Sequence, residues 1–156
     1  DRIEVVVHRE SIVHSFVEFV DGVFLAQLGA PDMRLPILFA LTEGEHIGCE
    51  VAPWSPISAP ALHFEPADPR RYPCLELARE AARRGGSAPI VLNAANEEAV
   101  AALLDHRLEF AQIPGVIEAA LATAPGDAAR SVDEALALDH DTRIRVRESI
   151  LRPSAS

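Results

Sequence analysis

Apolar positions in the first fifth of the chain fall into three extended runs. Ile3 to Val7 is dominated by β-branched residues and predicts a short buried strand. A second run spans about Ile12 to Val20 and a third Val23 to Leu28, with Asp21-Gly22 between them. Asp-Gly favours a two-residue type I′ turn, because both central residues need positive φ. That turn would set Val20 opposite Val23, Phe19 opposite Phe24, Val17 opposite Ala26, Phe16 opposite Gln27 and His14 opposite Gly29. Alternation then gathers Val17, Phe19, Phe24, Ala26 and Leu28 on one wholly apolar face, expected to be core. The other face carries His14, Phe16, Glu18, Leu25 and Gln27, a mixture suited to a site or a partner. A three-residue turn including Val23 would shift these pairs by one.

Beyond the hairpin the pattern becomes helical. Asp32 can cap a helix that tolerates Pro36 in its first turn, buries Leu35, Ile37, Leu38, Phe39 and Leu41, and stops at Gly44. Six of the twelve prolines then fall between Pro53 and Pro73, which predicts a stiff extended connection. It offers one possible short strand, Ala61 to Phe64, and Trp54 as a packing anchor. Four helices follow. The first runs from Pro73 to Arg84 and is stopped by Gly85-Gly86; the second runs from a Ser87 cap to about Leu104. The third starts at Pro114 and ends before Pro125-Gly126; the fourth starts at the Ser131–Glu134 capping box and ends before Pro153. The expected fold class is α+β: a small β-sheet with hairpin and one helix (1–44), a Pro-rich connection (45–72), and a four-helix bundle (73–156).

Composition removes several chemistries. A net charge of −10 argues against nucleic acid, since neutralising phosphates needs clustered cations. All 14 basic residues are Arg, so no step in this chain can use a Schiff-base or P-loop lysine. An Arg-only, Ala-rich composition points to a bacterial source with a GC-rich genome. Two distant cysteines, Cys49 and Cys74, suit a reduced cytoplasmic setting better than a zinc site. No apolar run is long enough to span a membrane. The start has neither an initiator Met nor a signal peptide, and the chain is expected to be part of a longer enzyme.

His14 leads the candidates for chemistry. An imidazole on the mixed face could donate, accept or titrate near neutrality, or it could merely bridge the hairpin. Ser11, three residues earlier, is a functional hydroxyl or a turn former. Met33, in the loop after the hairpin, could pack against a flat ring or fill space under the next helix. Pro31 fixes that loop's backbone in either case. His8 precedes Arg9-Glu10, a pair suited to a solvated turn. Asn93, Asn96 and Glu97 form a polar ridge better suited to tying neighbouring loops to the bundle than to catalysis. No metal motif or glycine-rich phosphate turn is present.

The segments IEVVVH, SIVHS, VEFVDG, LAQLGAPDMRLPI, RRYPCLELA and LNAANEEAV, in that order and spacing, resemble the 1-deoxy-D-xylulose 5-phosphate reductoisomerase family. The likeness covers nearly all 156 residues, but the family usually has Pro-Gln where this chain has Arg9-Glu10. The resemblance implies that 1–44 ends the catalytic α/β domain and that 73–156 is the carboxy-terminal helical domain. It implies a complete enzyme that uses NADPH and a divalent metal (Mn, Mg or Co) on a sugar-phosphate substrate and forms a homodimer through the sheet. On this resemblance His14 orders the substrate as the catalytic-side histidine, with Ser11, Pro31 and Met33 as further substrate-binding residues. Met33 also faces the nicotinamide of the cofactor. The family's cofactor fingerprint, metal carboxylates, substrate lysine and flap have no counterpart here, so these residues alone are expected to bind neither cofactor nor metal and to be inactive.

Overall fold

The computed structural model describes residues 3–57 and 61–151. It divides into two compact units, Asp1–Ala67 and Asp68–Ser156. The architecture is mixed α+β, with two small antiparallel sheets followed by helices.

In the first unit, β1 (Val6–Val7) pairs with β4 (Glu65–Pro66), and β2 (Val13–Glu18) pairs with β3 (Phe24–Leu28). Two residues of the Pro-rich stretch, Glu65 and Pro66, therefore fold back onto the first strand. The strand expected at Ala61 to Phe64 forms just beyond it, at Glu65–Pro66; Pro60, immediately before it, lies outside the described residues.

The hairpin closes differently from the expected two-residue turn. Phe19 N–H donates to Val23 O at 2.9 Å, and Gly22 N–H to Phe19 O at 2.9 Å, leaving a three-residue loop of Val20, Asp21 and Gly22. Gly22 sits at φ 82, the left-handed position that such a loop reserves for glycine. Asp21 Oδ1 accepts from Val23 N–H at 3.0 Å and stiffens the exit. The register therefore becomes Glu18↔Phe24, Val17↔Leu25, Phe16↔Ala26 and Ser15↔Gln27, with a shift before Val13↔Leu28.

A one-residue slip moves β3's side chains to the opposite face relative to β2. Phe16 now shares a face with Phe24, and their rings meet edge to face at 6.2 Å. Val17 shares the other face with Leu25. The expected single core face does not form: Val17, Phe19, Phe24 and Leu28 are all exposed. None of the described residues of the first unit is fully buried.

The first helix, α1 (Arg34–Leu41), also lacks buried residues. Of its expected anchors Leu35 and Leu38 are half-buried, while Ile37 at 52%, Phe39 and Leu41 at 77% exposure stay open. Its end is nonetheless well made. Glu43 takes φ 55 and Gly44 φ 92, while Glu43 N–H bonds Ala40 O at 3.3 Å and Gly44 N–H bonds Phe39 O at 2.8 Å.

The second unit has a true core. Its helices are α2 (Pro73–Arg84), α3 (Ala88–Leu104), α4 (Ile113–Ala122) and α5 (Val132–Leu151), with a 3₁₀ turn at Phe110–Gln112. The ends match the proline and glycine signals, with Gly85 at φ 63 closing α2. Pro153, the expected stop for α5, lies outside the described residues. The α3 helix is central and touches α2, α4 and α5. Its Ala94, Ala95, Ala99 and Ala102 are fully buried, so small side chains let backbones approach closely around Val91, Ile117 and Val146.

Two expected caps behave differently. Ser87 makes no cap bond; its hydroxyl donates to the Pro125 carbonyl and ties α3's start to the loop after α4. Ser131 Oγ does accept from Glu134 N–H at 3.1 Å, but Glu134 reaches back to Arg130 N–H at 2.7 Å instead of Ser131.

Candidate functional site

His14 sits where the β2–β3 register shifts between Val13 and Ser15, so it lies at an irregularity in the ladder. Such bulges re-aim a side chain. Although His14 does not pair with Gly29 as expected, the two are adjacent: a methyl group on Gly29 would stand 4.0 Å from His14 Nε2. Gly29 N–H is held by Ile12 O at 3.0 Å, which fixes the strand end where the 30–33 loop departs.

That loop is built tightly. Asp32 N–H donates to Ala30 O at 2.8 Å around Pro31, whose ring fixes φ. Asp32 Oδ1 then accepts from Arg34 N–H at 2.9 Å from one residue outside the cap position, which Met33 occupies without a side-chain cap bond. The Arg34 guanidinium grips both Asp32 oxygens, at 2.6 to 3.1 Å. This contact, with the backbone bond, holds the Asp32 carboxyl down at about 2. Met33, between the two clasped residues, is left 70% exposed. An exposed thioether on a fixed backbone is able to meet a flat ring without rearrangement.

Ser11 takes φ 52, a left-handed conformation uncommon for serine. It opens β2 after a turn that begins at His8. Arg9 and Glu10 form the expected turn, but His8 before them is not solvated: its side chain is only 6% exposed and its ring stacks on Phe64 at 4.6 Å. Ile12 N–H donates to His8 Nε2 at 3.1 Å, so that nitrogen carries the lone pair. Nδ1 therefore carries the proton, facing His63 O at 2.8 Å and Glu10 Oε2 at 3.0 Å.

Glu10 in turn bonds His63, through Nδ1 at 2.5 Å and the backbone N–H at 3.3 Å. These bonds, the side-chain one foremost, pull the Glu10 carboxyl down to about 2. His63, Phe64 and Glu10 were not singled out from sequence, because only the β1–β4 pairing brings residues 55 positions apart together.

A cavity of about 350 Å³ opens beside this cluster, lined by His8, His14, Ser15, Phe16, Glu18 and Phe64 among others. Of the four residues read as substrate-binding, His14 is among those that line it, and Ser11, Pro31 and Met33 are not. Among the described residues no group of three or more His, Cys, Asp or Glu is arranged to hold a metal ion. None of the described helices is long and apolar enough to cross a membrane.

In the second unit, Glu97 accepts from Asn93 at 3.1 Å and from Arg143 of α5 at 2.7 Å, so part of the polar ridge ties two helices together. The stronger tie was missed. Buried Glu98 takes both arms of Arg147, each at 2.6 Å, and lies 3.4 Å from Arg143. Arg147 is the main cause holding the Glu98 carboxyl below its ordinary range.

This fold is similar to that of reductoisomerases of known structure, some of them in complex with NADPH. It matches 1-deoxy-D-xylulose 5-phosphate reductoisomerase from Zymomonas mobilis in complex with NADPH with a TM-score of 0.87 and 36% identity, over 96% of this chain and 40% of that one. A DOX-P reductoisomerase in complex with NADPH, fosmidomycin and magnesium matches with a TM-score of 0.83 and 39% identity, over 93% and 38% respectively. In sequence, 1-deoxy-D-xylulose 5-phosphate reductoisomerase of Pseudomonas putida (strain W619) is 49% identical over 152 residues, 97% of this chain. The model of the DXP reductoisomerase C-terminal domain covers residues 28–145. The chain belongs to the DXP reductoisomerase family. It spans 38% of the length of the Pseudomonas putida relative.

Proposed function

We propose that this chain supplies the substrate-side hairpin and the carboxy-terminal helical bundle of an NADPH- and divalent-metal-dependent reductoisomerase. The complete enzyme converts 1-deoxy-D-xylulose 5-phosphate to 2-C-methyl-D-erythritol 4-phosphate in non-mevalonate isoprenoid synthesis. In this reading 1–44 ends the catalytic domain, 45–72 links, and 73–156 is the helical domain; the setting is the bacterial cytoplasm. The single observation that carries the proposal is the family match together with His14 set at a strand irregularity beside Gly29.

Ser11 and His14 donate to and order the oxygens of the sugar phosphate. Pro31 fixes the backbone before Met33, whose thioether walls the place where the nicotinamide lies; NADPH supplies the hydride when bound. The fit to the cofactor rests on Met33's exposure and the Asp32–Arg34 clasp that holds its backbone. The metal's carboxylates lie outside this chain in this reading.

The exposed apolar hairpin, with Val17, Phe19, Val23 and Leu25 all open, supports homodimer formation through the sheet. It equally favours a second reading, a non-catalytic module that dimerises or binds a full-length relative. The test is NADPH oxidation with substrate and Mn²⁺ or Mg²⁺. The 156-residue chain alone should show none, and the chain joined to the preceding residues of the Pseudomonas putida relative should show turnover. A folded, dimeric fusion with no turnover would favour the non-catalytic module.

A further inference from the structure

We propose that His8 is a positioning residue for the candidate substrate site, acting through its unprotonated Nε2 as the acceptor that shapes the Ser11–His14 entry to β2. The inference rests on the reading of Ser11 and His14 as substrate-binding residues. Its ground is a hydrogen-bond pattern that only one tautomer satisfies.

The turn from His8 to Ile12 is closed twice by the same residue. Ser11 N–H donates to His8 O at 3.3 Å, and Ile12 N–H donates to His8 Nε2 at 3.1 Å. Between those two bonds Ser11 is held at φ 52, and strain of that kind persists only where its surroundings fix it. Two residues after Ile12, the strand carries His14 beside Gly29, and Ile12 O receives Gly29 N–H. Ile12 thus joins the imidazole of His8 to the strand end next to His14. The ring itself cannot drift, because it is stacked on Phe64 and its Nδ1–H faces His63 O and Glu10.

The two ring nitrogens are separable by substitution. Gln places its amide oxygen near the Nε2 position and can still accept from Ile12, whereas Asn reaches only the Nδ1 position and can still donate to His63. In the ¹⁵N-labelled chain, His8→Gln should keep the Ile12 amide slow to exchange and keep the contact between the His14 ring and Gly29. His8→Asn should lose both while the His63 side remains intact, with the helical unit's amides unchanged in each variant. Long-range ¹H–¹⁵N spectra should also show wild-type His8 as the Nδ1–H tautomer.

In the fusion enzyme, His8→Asn should raise KM for the sugar phosphate about tenfold with kcat changed little, and His8→Gln should restore it. Equal Ile12 exchange in the Gln and Asn variants, or an Nε2–H tautomer, overturns the proposal. The underlying site reading fails by a different sign, a KM that Ser11→Ala and His14→Ala leave untouched while Ile12 still responds to His8→Asn.

Discussion

Glu10 and Asp32 show how single side chains fix the loops around the candidate site. Glu10 bridges to His63 across the first unit, and Asp32 clasps Arg34 on either side of Met33. Both carboxyls are held at about 2, well below their ordinary values of 4.5 and 3.8. A depressed carboxyl adds stability that is complete above its ordinary value and is lost as the pH falls through the depressed one. For Glu10 the window therefore runs from pH 4.5 down to about 2. Following the Glu10 carboxyl carbon by NMR should give a midpoint near 2, with the His63 amide shifting in step. A midpoint near 4.5 would mean the bridge to His63 does not persist in solution.

At the scale of elements, the second unit was the more legible. Its helix ends are written locally, by Pro73, Gly85, Pro114 and Pro125-Gly126, and local signals suffice when each helix needs only a start and a stop. The hairpin was less so. Asp21-Gly22 suits a two-residue loop, but Gly22 serves equally as the left-handed third residue of a longer one, and Val20 joined the loop. Nothing local marks the irregularity at His14. The role of Gly86 was also invisible, since it depends on a loop forty residues away. A methyl group there would stand 2.8 Å from Gly126 O, at a φ of 58. Gly86→Ala should therefore cost about 2 kcal/mol, from left-handed strain and a backbone clash together. Denaturant melts of the helical unit measure it; a change under about 0.5 kcal/mol, the usual range for surface substitutions, would show that the contact with Gly126 is not held.

The two units differ in what they can sustain alone. The helical unit buries Ile117, Val91 and the alanines of α3, and Glu98 locks α3 to α5 through Arg147. The first unit has no fully buried described residue, and its apolar hairpin lies open. Sequence patterning put Val17, Phe19, Phe24, Ala26 and Leu28 on one core face, but the register slip divides them between the two faces of the hairpin, since alternation fixes each strand's faces and not which of them meet. Hydrogen exchange on the isolated chain should follow this division. Amides of α3 and α5 should exchange only on global unfolding, and those of β2 and β3 by local opening, faster by at least a hundredfold. Ile117→Ala should weaken the helical unit by about 3 kcal/mol and leave hairpin exchange unchanged.

The most direct test of the functional account is the Michaelis constant for 1-deoxy-D-xylulose 5-phosphate in the fusion enzyme carrying His14→Ala. Loss of a hydrogen bond to a charged substrate weakens binding by about 1.5–3 kcal/mol, so KM should rise on the order of ten- to a hundredfold while NADPH affinity holds. An unaltered KM in a folded, NADPH-binding variant would contradict it.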